Sequence, residues 1–447
     1  MKKLLSFLFF TTVLSIICAF SVFASDAVAK IGDAEYQSLQ EAIDAAGVGD
    51  TVTLLTDLTI ETSKATGEAS GYFVISADDK ITIDLNGKTI NATDSATSHF
   101  VLFYNRGELT IKNGTVNLTA AVNREWNALS AVIMNRGGKL TVESGEYNHL
   151  GGTSMAFALD NSGNSFGDTY AYINGGTLTS TYTGIRMRMA DTTLNGDPGN
   201  GIVYLSITGG FVYGENRGVW GHVTNAFTQE LGALEISGGT VGGGKNSINM
   251  ASDGYENIFI TISGDACING ELKGESADFD IIGGTFTTSV SPDFLANGFV
   301  LVENGDGTFS VAVSLESAFI FLGYSVNENV YSSITAGYRV NRDVITAYCE
   351  QNGIESFDFG CAFGIGAINE STAISFIEYV DYTFFNAKIT GIDSSKESHL
   401  NAILAMALYF DLGDGKQYVC EIDGAIAFVD STGVTTVTYA EYMPTEE

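Results

Sequence analysis

The sequence predicts an all-β fold of stacked coils, and three observations carry that expectation. First, a short phrase recurs between Leu109 and Thr288: LTIKNGTVNL, LTVESGEYNH, AYINGGTLTS, LSITGGFVYG, LEISGGTVGG, ITISGDACING and FDIIGGTFTT. Second, aligned on Gly114, Gly145, Gly176, Gly210, Gly239, Asp265 and Gly284, the phrases keep three apolar columns. Leu109, Leu140, Ala171, Leu205, Leu234, Ile260 and Phe279 stand five residues before the anchor; Ile111, Val142, Ile173, Ile207, Ile236, Ile262 and Ile281 stand three before it. Val116, Tyr147, Leu178, Val212, Val241, Cys267 and Phe286 stand two after it. A period of two on either side of a glycine describes two short strands around a corner. Third, counted from Gly87, the anchors step by 27, 31, 31, 34, 29, 26 and 19 residues. A unit that short cannot bury its own apolar face, so neighbouring coils must share one core. The uneven steps place fixed strands beside one variable loop per coil.

Taken in order, the chain opens with Met1-Lys2-Lys3, an apolar run from Leu4 to Phe20 and Val22-Phe23-Ala24. That pattern predicts an export signal cut after Ala24, so the protein is expected to be secreted or held at the cell surface, with no membrane insertion after cleavage. Ser38 with Glu41 forms a capping box before an apolar face of Leu39, Ala42, Ile43 and Ala46, and Gly47 is placed to end this short helix. A helix there covers the open end of the first coil and its unpaired strand edge. The segment carrying Gly32, Tyr36, Leu39, Glu41-Ala42-Ile43, Ala45-Ala46 and Gly49-Asp50-Thr51 resembles the N-terminal cap of bacterial exported right-handed parallel β-helix proteins of the pectate-lyase-like superfamily. The resemblance spans residues 29–313 and speaks to fold rather than activity.

The first coil, ITIDLNGKTI from Ile81, reads in a register of its own around Gly87. A third strand per coil is visible in VLFYN, AVIMN and FALDN, closed by Asn105, Asn135 and Asn161. Asn tolerates the left-handed corner, and stacked Asn side chains can hydrogen-bond along the ladder. GFVLVENGDGTFSVAV from Gly298 reads as a hairpin at Asp306-Gly307 that closes the stack. Beyond Ser314 the repeat stops, and several short strands predict a β-sandwich. Through GYRVNRDVITAY and DGKQYVCEIDG this part resembles a C-terminal module of Gram-positive surface proteins. The expected organisation is signal 1–24, cap and first strand 25–57, right-handed single-stranded parallel β-helix 58–313 and C-terminal domain 314–447.

A net charge of −32 excludes routine nucleic-acid binding, which needs a basic stripe. Cys267 falls in a core column and reads as a buried small hydrophobe, while Cys349, Cys361 and Cys420 share the last domain. Cysteine and histidine spacing predicts no metal site, and no cofactor is expected.

Of eight arginines, Arg106, Arg124, Arg136, Arg186, Arg188 and Arg217 fall in the middle coils, with Trp126, Trp220 and His222 among them and His99 and His149 nearby. Arginines can hold carboxylates or sulfates bidentately, and aromatic rings can stack on sugars. The ligand candidates are therefore Arg106, Arg136, Trp126, Arg186, Arg188, Arg217, Trp220 and His222. The plainer alternative pairs each arginine with a nearby Asp in service of the fold. No catalytic residue is assigned: the Arg-x-Pro-x-x-Arg of lyases of this fold and the Arg-x-Lys of its hydrolases are missing, leaving a loose set of Asp160, Asp191, Asp197, Arg186, Arg188 and His222. The leading expectation is a non-catalytic interaction protein, with a glycan or cell-wall polysaccharide as partner. The alternative is a polysaccharide lyase or hydrolase.

Overall fold

The computed structural model describes residues 27–66, 70–121, 129–152, 155–160, 167–189, 201–223, 232–250, 258–274 and 279–314, together with the C-terminal strands and helix given below. The expected signal 1–24 lies outside them, as do Arg124, Trp126, Asn161, Asp191 and Asp197. The chain divides into two compact units at Val290 and Ser291, with the short 281–283 segment grouped with the second.

The first unit is a parallel β-solenoid of about six turns. Its first ladder stacks Thr51–Leu54, Lys80–Asp84, Glu108–Lys112, Lys139–Val142, Thr169–Ile173, Val203–Ile207, Gly232–Ile236, Ile258–Ile262 and Phe279–Ile281. The second stacks Leu58–Thr62, Thr89–Asp94, Thr115–Ala120, Glu146–Leu150, Thr177–Ser180 and Phe211–Gly214. The third stacks Phe73–Ile75, Phe100–Asn105, Ser130–Asn135, Met155–Asp160, Thr183–Met189 and Arg217–Val223. The long strand Thr240–Asn249 pairs with both of these.

The apolar columns account for the stacking. Ile111, Val142, Ile173, Ile207, Ile236, Ile262 and Ile281 are all fully buried, and the register carries Ile83 to Ile262 coil by coil. Each such side chain contributes roughly 1.5–3 kcal/mol relative to exposure. The corners need glycine for two reasons. Gly145 and Gly176 have φ of 108° and 86°, and a Cβ on Gly176 would lie 2.8 Å from the Gly145 carbonyl oxygen of the coil below.

Four local expectations change. The helix spans Leu39–Ala45 with Ser38 accepting from the Glu41 amide at 3.1 Å, but its C-cap is Ala46 in extended conformation. Gly47 instead donates its amide to Asp50 Oδ2 at 2.8 Å, so the positive φ moves to Gly49. The first coil joins the common columns, with Ile81 opposite Leu109, Ile83 opposite Ile111 and Ile90 opposite Val116, because its turn is longer. In the coil at Asp265 an extra turn residue shifts the frame by one. Ile268 therefore pairs with Val241 and fills the core, leaving Cys267 half-buried rather than in the column. Finally, Leu159, not Asn161, stands opposite Asn135.

The Asn column that remains is short and works through hydrogen bonds rather than left-handed backbone. Buried Asn105 donates to Asn135 Oδ1 at 2.7 Å, and Asn135 donates to the carbonyls of Gly138 and Tyr170 at 3.0 and 2.8 Å. Among the described non-glycine residues, positive φ falls instead on Asn86 and Asn113.

In the second unit, Phe299–Glu303 and Phe309–Val313 form the expected antiparallel hairpin. Gln351, at the end of the helix Arg342–Gln351, donates to the Val311 carbonyl at 3.0 Å and accepts from the Val313 amide at 2.8 Å. One antiparallel sheet orders Thr372–Glu378, Tyr382–Thr390, Ser333–Asn341, Phe319–Asn327, Val434–Val437 and Phe428–Val429; another orders Gly360–Gly364, Ala407–Asp411, Gln417–Glu421 and Pro444–Glu446. Among the described residues, no helix is long and apolar enough to cross a membrane.

Candidate functional site

The third ladder changes character along its length. In its earlier coils every residue of Phe100–Asn105, Ser130–Asn135 and Met155–Asp160 is buried. Besides the solenoid interior, Val101, Tyr104, Leu129, Ala131, Met134, Met155 and Ala158 form a cluster of their own. In the later coils the same register positions turn charged and aromatic: Ala158 is followed by Arg186 and then Trp220, Met155 by Thr183 and then Arg217.

A two-residue shift of frame decides the centre of the site. With Leu159 opposite Asn135, Asp160 faces Arg188, which in turn faces His222. The Arg136 amide, one residue after Asn135, donates to the Asn105 carbonyl at 2.9 Å, so Arg106 and Arg136 follow one another on successive coils as the spacing implied. Asp160 is fully buried, and one of its oxygens, Oδ2, lies 3.3 Å from Arg136 Nη2, 3.6 Å from Arg188 Nη1 and 3.8 Å from Arg186 Nη2. Three guanidiniums thus surround a single carboxylate. The side chains become progressively more accessible: Arg136 is 5% exposed, Arg186 12% and Arg188 26%.

Tyr104 marks where Arg106 joins. Burial pushes its phenol pKa up, while the adjacent Arg136 and Arg106 charges pull the other way. Further along, the Arg217 guanidinium lies 4.6 Å from the centre of the Trp220 ring and 5.7 Å from that of Tyr182. Such cation–π contacts are worth about 0.5–1 kcal/mol at exposed sites and hold the guanidinium plane in place. The Nε–H groups of Arg188 and Arg217 are buried without a hydrogen-bond partner among the described residues. Unsatisfied donors of this kind are costly unless something accepts from them.

For Arg136 the plainer alternative, pairing with a nearby Asp, is what forms. Arg136 is buried against Asp160 because Asp160 sits one coil on at the matching position, and of the three arginines around that carboxylate Arg186 and Arg188 are the less buried. Trp126 lies outside the described residues, and so does the His222 side chain. The nearby histidines serve the fold. His149 is buried with Nε2 2.7 Å from Ser130 Oγ, and His99 Nδ1 accepts the Leu129 amide at 2.9 Å.

The sequence singles out Asp160 with Arg186 and Arg188 in a loose set but not as the hub, and it does not single out Tyr104 or Tyr182 at all. Aligning Phe157-Ala158-Leu159 on Ile133-Met134-Asn135, rather than Asn161 on Asn135, would have set Asp160 beside Arg136 and revealed the hub. Among the described residues no group of three or more His, Cys, Asp or Glu is placed to hold a metal ion. The chain matches no protein-family model, no curated protein and no solved structure in the comparisons made.

Proposed function

We propose that this chain is an exported, secreted or cell-surface protein of bacterial type whose middle coils bind a carboxylate- or sulfate-bearing glycan without transforming it. In this reading the solenoid is a right-handed parallel β-helix of the pectate-lyase-like kind, capped by the Leu39–Ala45 helix and followed by a C-terminal β-sandwich. The observation that carries the functional part is the clustering of arginines at Asp160. In a protein of net charge −32, three guanidiniums share one carboxylate oxygen, and Arg186 and Arg188 are the more exposed of the three. Asp160 and Arg136 serve as the buried footing of the site. Arg186 and Arg188 are the ligand-facing cations, with the planar fork that matches a carboxylate or sulfate. Trp220, braced by Arg217, offers an aromatic surface beside them.

A glycan array probed with the purified protein tests this reading. Binding concentrated on uronate- or sulfate-bearing glycans and weakened by salt is expected, since exposed charge pairs are screened within about 8–10 Å at physiological ionic strength. Binding to no anionic glycan would remove the proposal.

A further inference from the structure

The first ladder carries an aromatic surface that the arginine site does not use. Its strands Thr169–Ile173 and Val203–Ile207 set Tyr170 opposite Tyr204 and Tyr172 opposite Ser206, while Ala171, Ile173, Leu205 and Ile207 point inward and are fully buried. Alternation then sends the three tyrosines outward. The Tyr204 ring centre lies 6.1 Å from that of Tyr170 and 5.7 Å from that of Tyr172, each pair inclined by 52°. All three rings remain partly exposed.

Two of the rings are also fixed at their hydroxyls. Tyr170 donates its hydroxyl to Asp168 Oδ2 at 2.9 Å, and Asp168 is itself anchored by the Ile202 amide at 3.0 Å. Tyr204 donates to Glu235 Oε2 at 2.5 Å. The Lys139 ammonium sits 5.4 Å from the Tyr172 ring centre. Aromatic side chains pinned at their far ends lose little further freedom on binding.

We infer that this outer face, centred on Tyr170, Tyr172 and Tyr204, is a second ligand surface that takes an uncharged polysaccharide by stacking its sugar rings on the tyrosines. The polar rim argues for the occupant. Asp168 and Glu235 are acceptor-only groups, suited to sugar hydroxyls and repulsive to acidic chains. Thr110 and Thr141 extend the same outward positions along the ladder with hydroxyls. Aromatic faces interleaved with acceptors fit a ring with one apolar face and a hydroxylated edge better than an apolar protein surface. The surface lies on a different ladder from the arginine site, and it needs no charge on its ligand.

The test is affinity electrophoresis of the purified protein through native gels containing hydroxyethyl cellulose, mixed-linkage β-glucan or galactomannan, with a heparin gel alongside. The parent should be retarded by at least one neutral polymer. Tyr170→Ala/Tyr172→Ala should weaken that retardation about tenfold or more. Tyr172→Phe, which keeps the stacking face, should retain it, and Arg186→Gln/Arg188→Gln should leave it unchanged. If the double alanine variant fails to fold, judged by its melting curve, the single exposed change Tyr172→Gln takes its place in the same gels. Absence of retardation in all three neutral gels overturns the inference, as does equal retardation of parent and variant. Retardation in heparin alone also overturns it, as does tyrosine-dependent self-association without glucan binding.

Discussion

Replacing Asp160 by Asn removes one charge from a position with no solvent exposure and changes almost no volume. Three guanidinium nitrogens lie 3.3, 3.6 and 3.8 Å from the oxygen that loses its charge. At an effective dielectric near 20, each such pair attracts by roughly 4 kcal/mol. Most of that gross attraction is offset by desolvation and by repulsion among the arginines themselves. Removing one partner of a buried pair nevertheless costs about 3–5 kcal/mol, because the charges left behind stay buried and uncompensated. Asp160→Asn should therefore lower the unfolding free energy by about that amount in urea titrations followed by tryptophan fluorescence. Added sulfate should restore part of the loss, because an anion can occupy the vacated charge position. A variant within about 1 kcal/mol of the parent, and indifferent to sulfate, would refute the view that Asp160 holds the arginines together.

Three further outcomes are expected. Ile207→Asp places an unpaired charge in the fully buried column and should destabilise the solenoid by several kcal/mol, read as a large drop in melting temperature; an unchanged melting curve would contradict the repeat alignment. Asn135→Ala removes the acceptor of the Asn105 bond and two donations to backbone carbonyls, so a loss of about 1–3 kcal/mol is expected in the same urea assay. The Tyr204 phenol is pushed up to about 12 by burial and then by the Glu235 carboxylate that accepts its proton. A raised folded value stabilises below the unfolded pKa near 10 and is lost as pH rises through the folded one, so this contribution should fade between about pH 10 and 12. An ultraviolet titration should show late-ionising tyrosine absorbance that Tyr204→Phe reduces by one phenol.

The columns were legible in the sequence because the core imposes one rule on every coil: Ile111, Val142, Ile173 and Ile207 must all point inward. The frame shifts were not legible. At Asp265 one extra turn residue moved Ile268 into the core, and at FALDN the conspicuous Asn drew the alignment two residues away from where the apolar residues place it. That second shift hid the arginine hub, since Asp160 meets Arg136 and Arg188 only in the frame of Leu159. The arginines themselves were conspicuous as rare cations in an acidic chain, but which of them are accessible depends on packing, and packing buried Arg136 while leaving Arg188 open. Tyr170, Tyr172 and Tyr204 went unnoticed because they alternate with the core columns and read as ordinary strand residues.

The central claim, that Arg186 and Arg188 face an anionic glycan, is met most directly by titrating heparin, as a sulfated probe, into the parent protein and into Arg186→Gln/Arg188→Gln at two salt concentrations. The account predicts saturable binding to the parent that weakens as salt rises. It further predicts a loss of about tenfold or more in the double variant, with the melting temperature held within a few degrees. Binding of equal strength by parent and variant, or none by the parent at low salt, would contradict it.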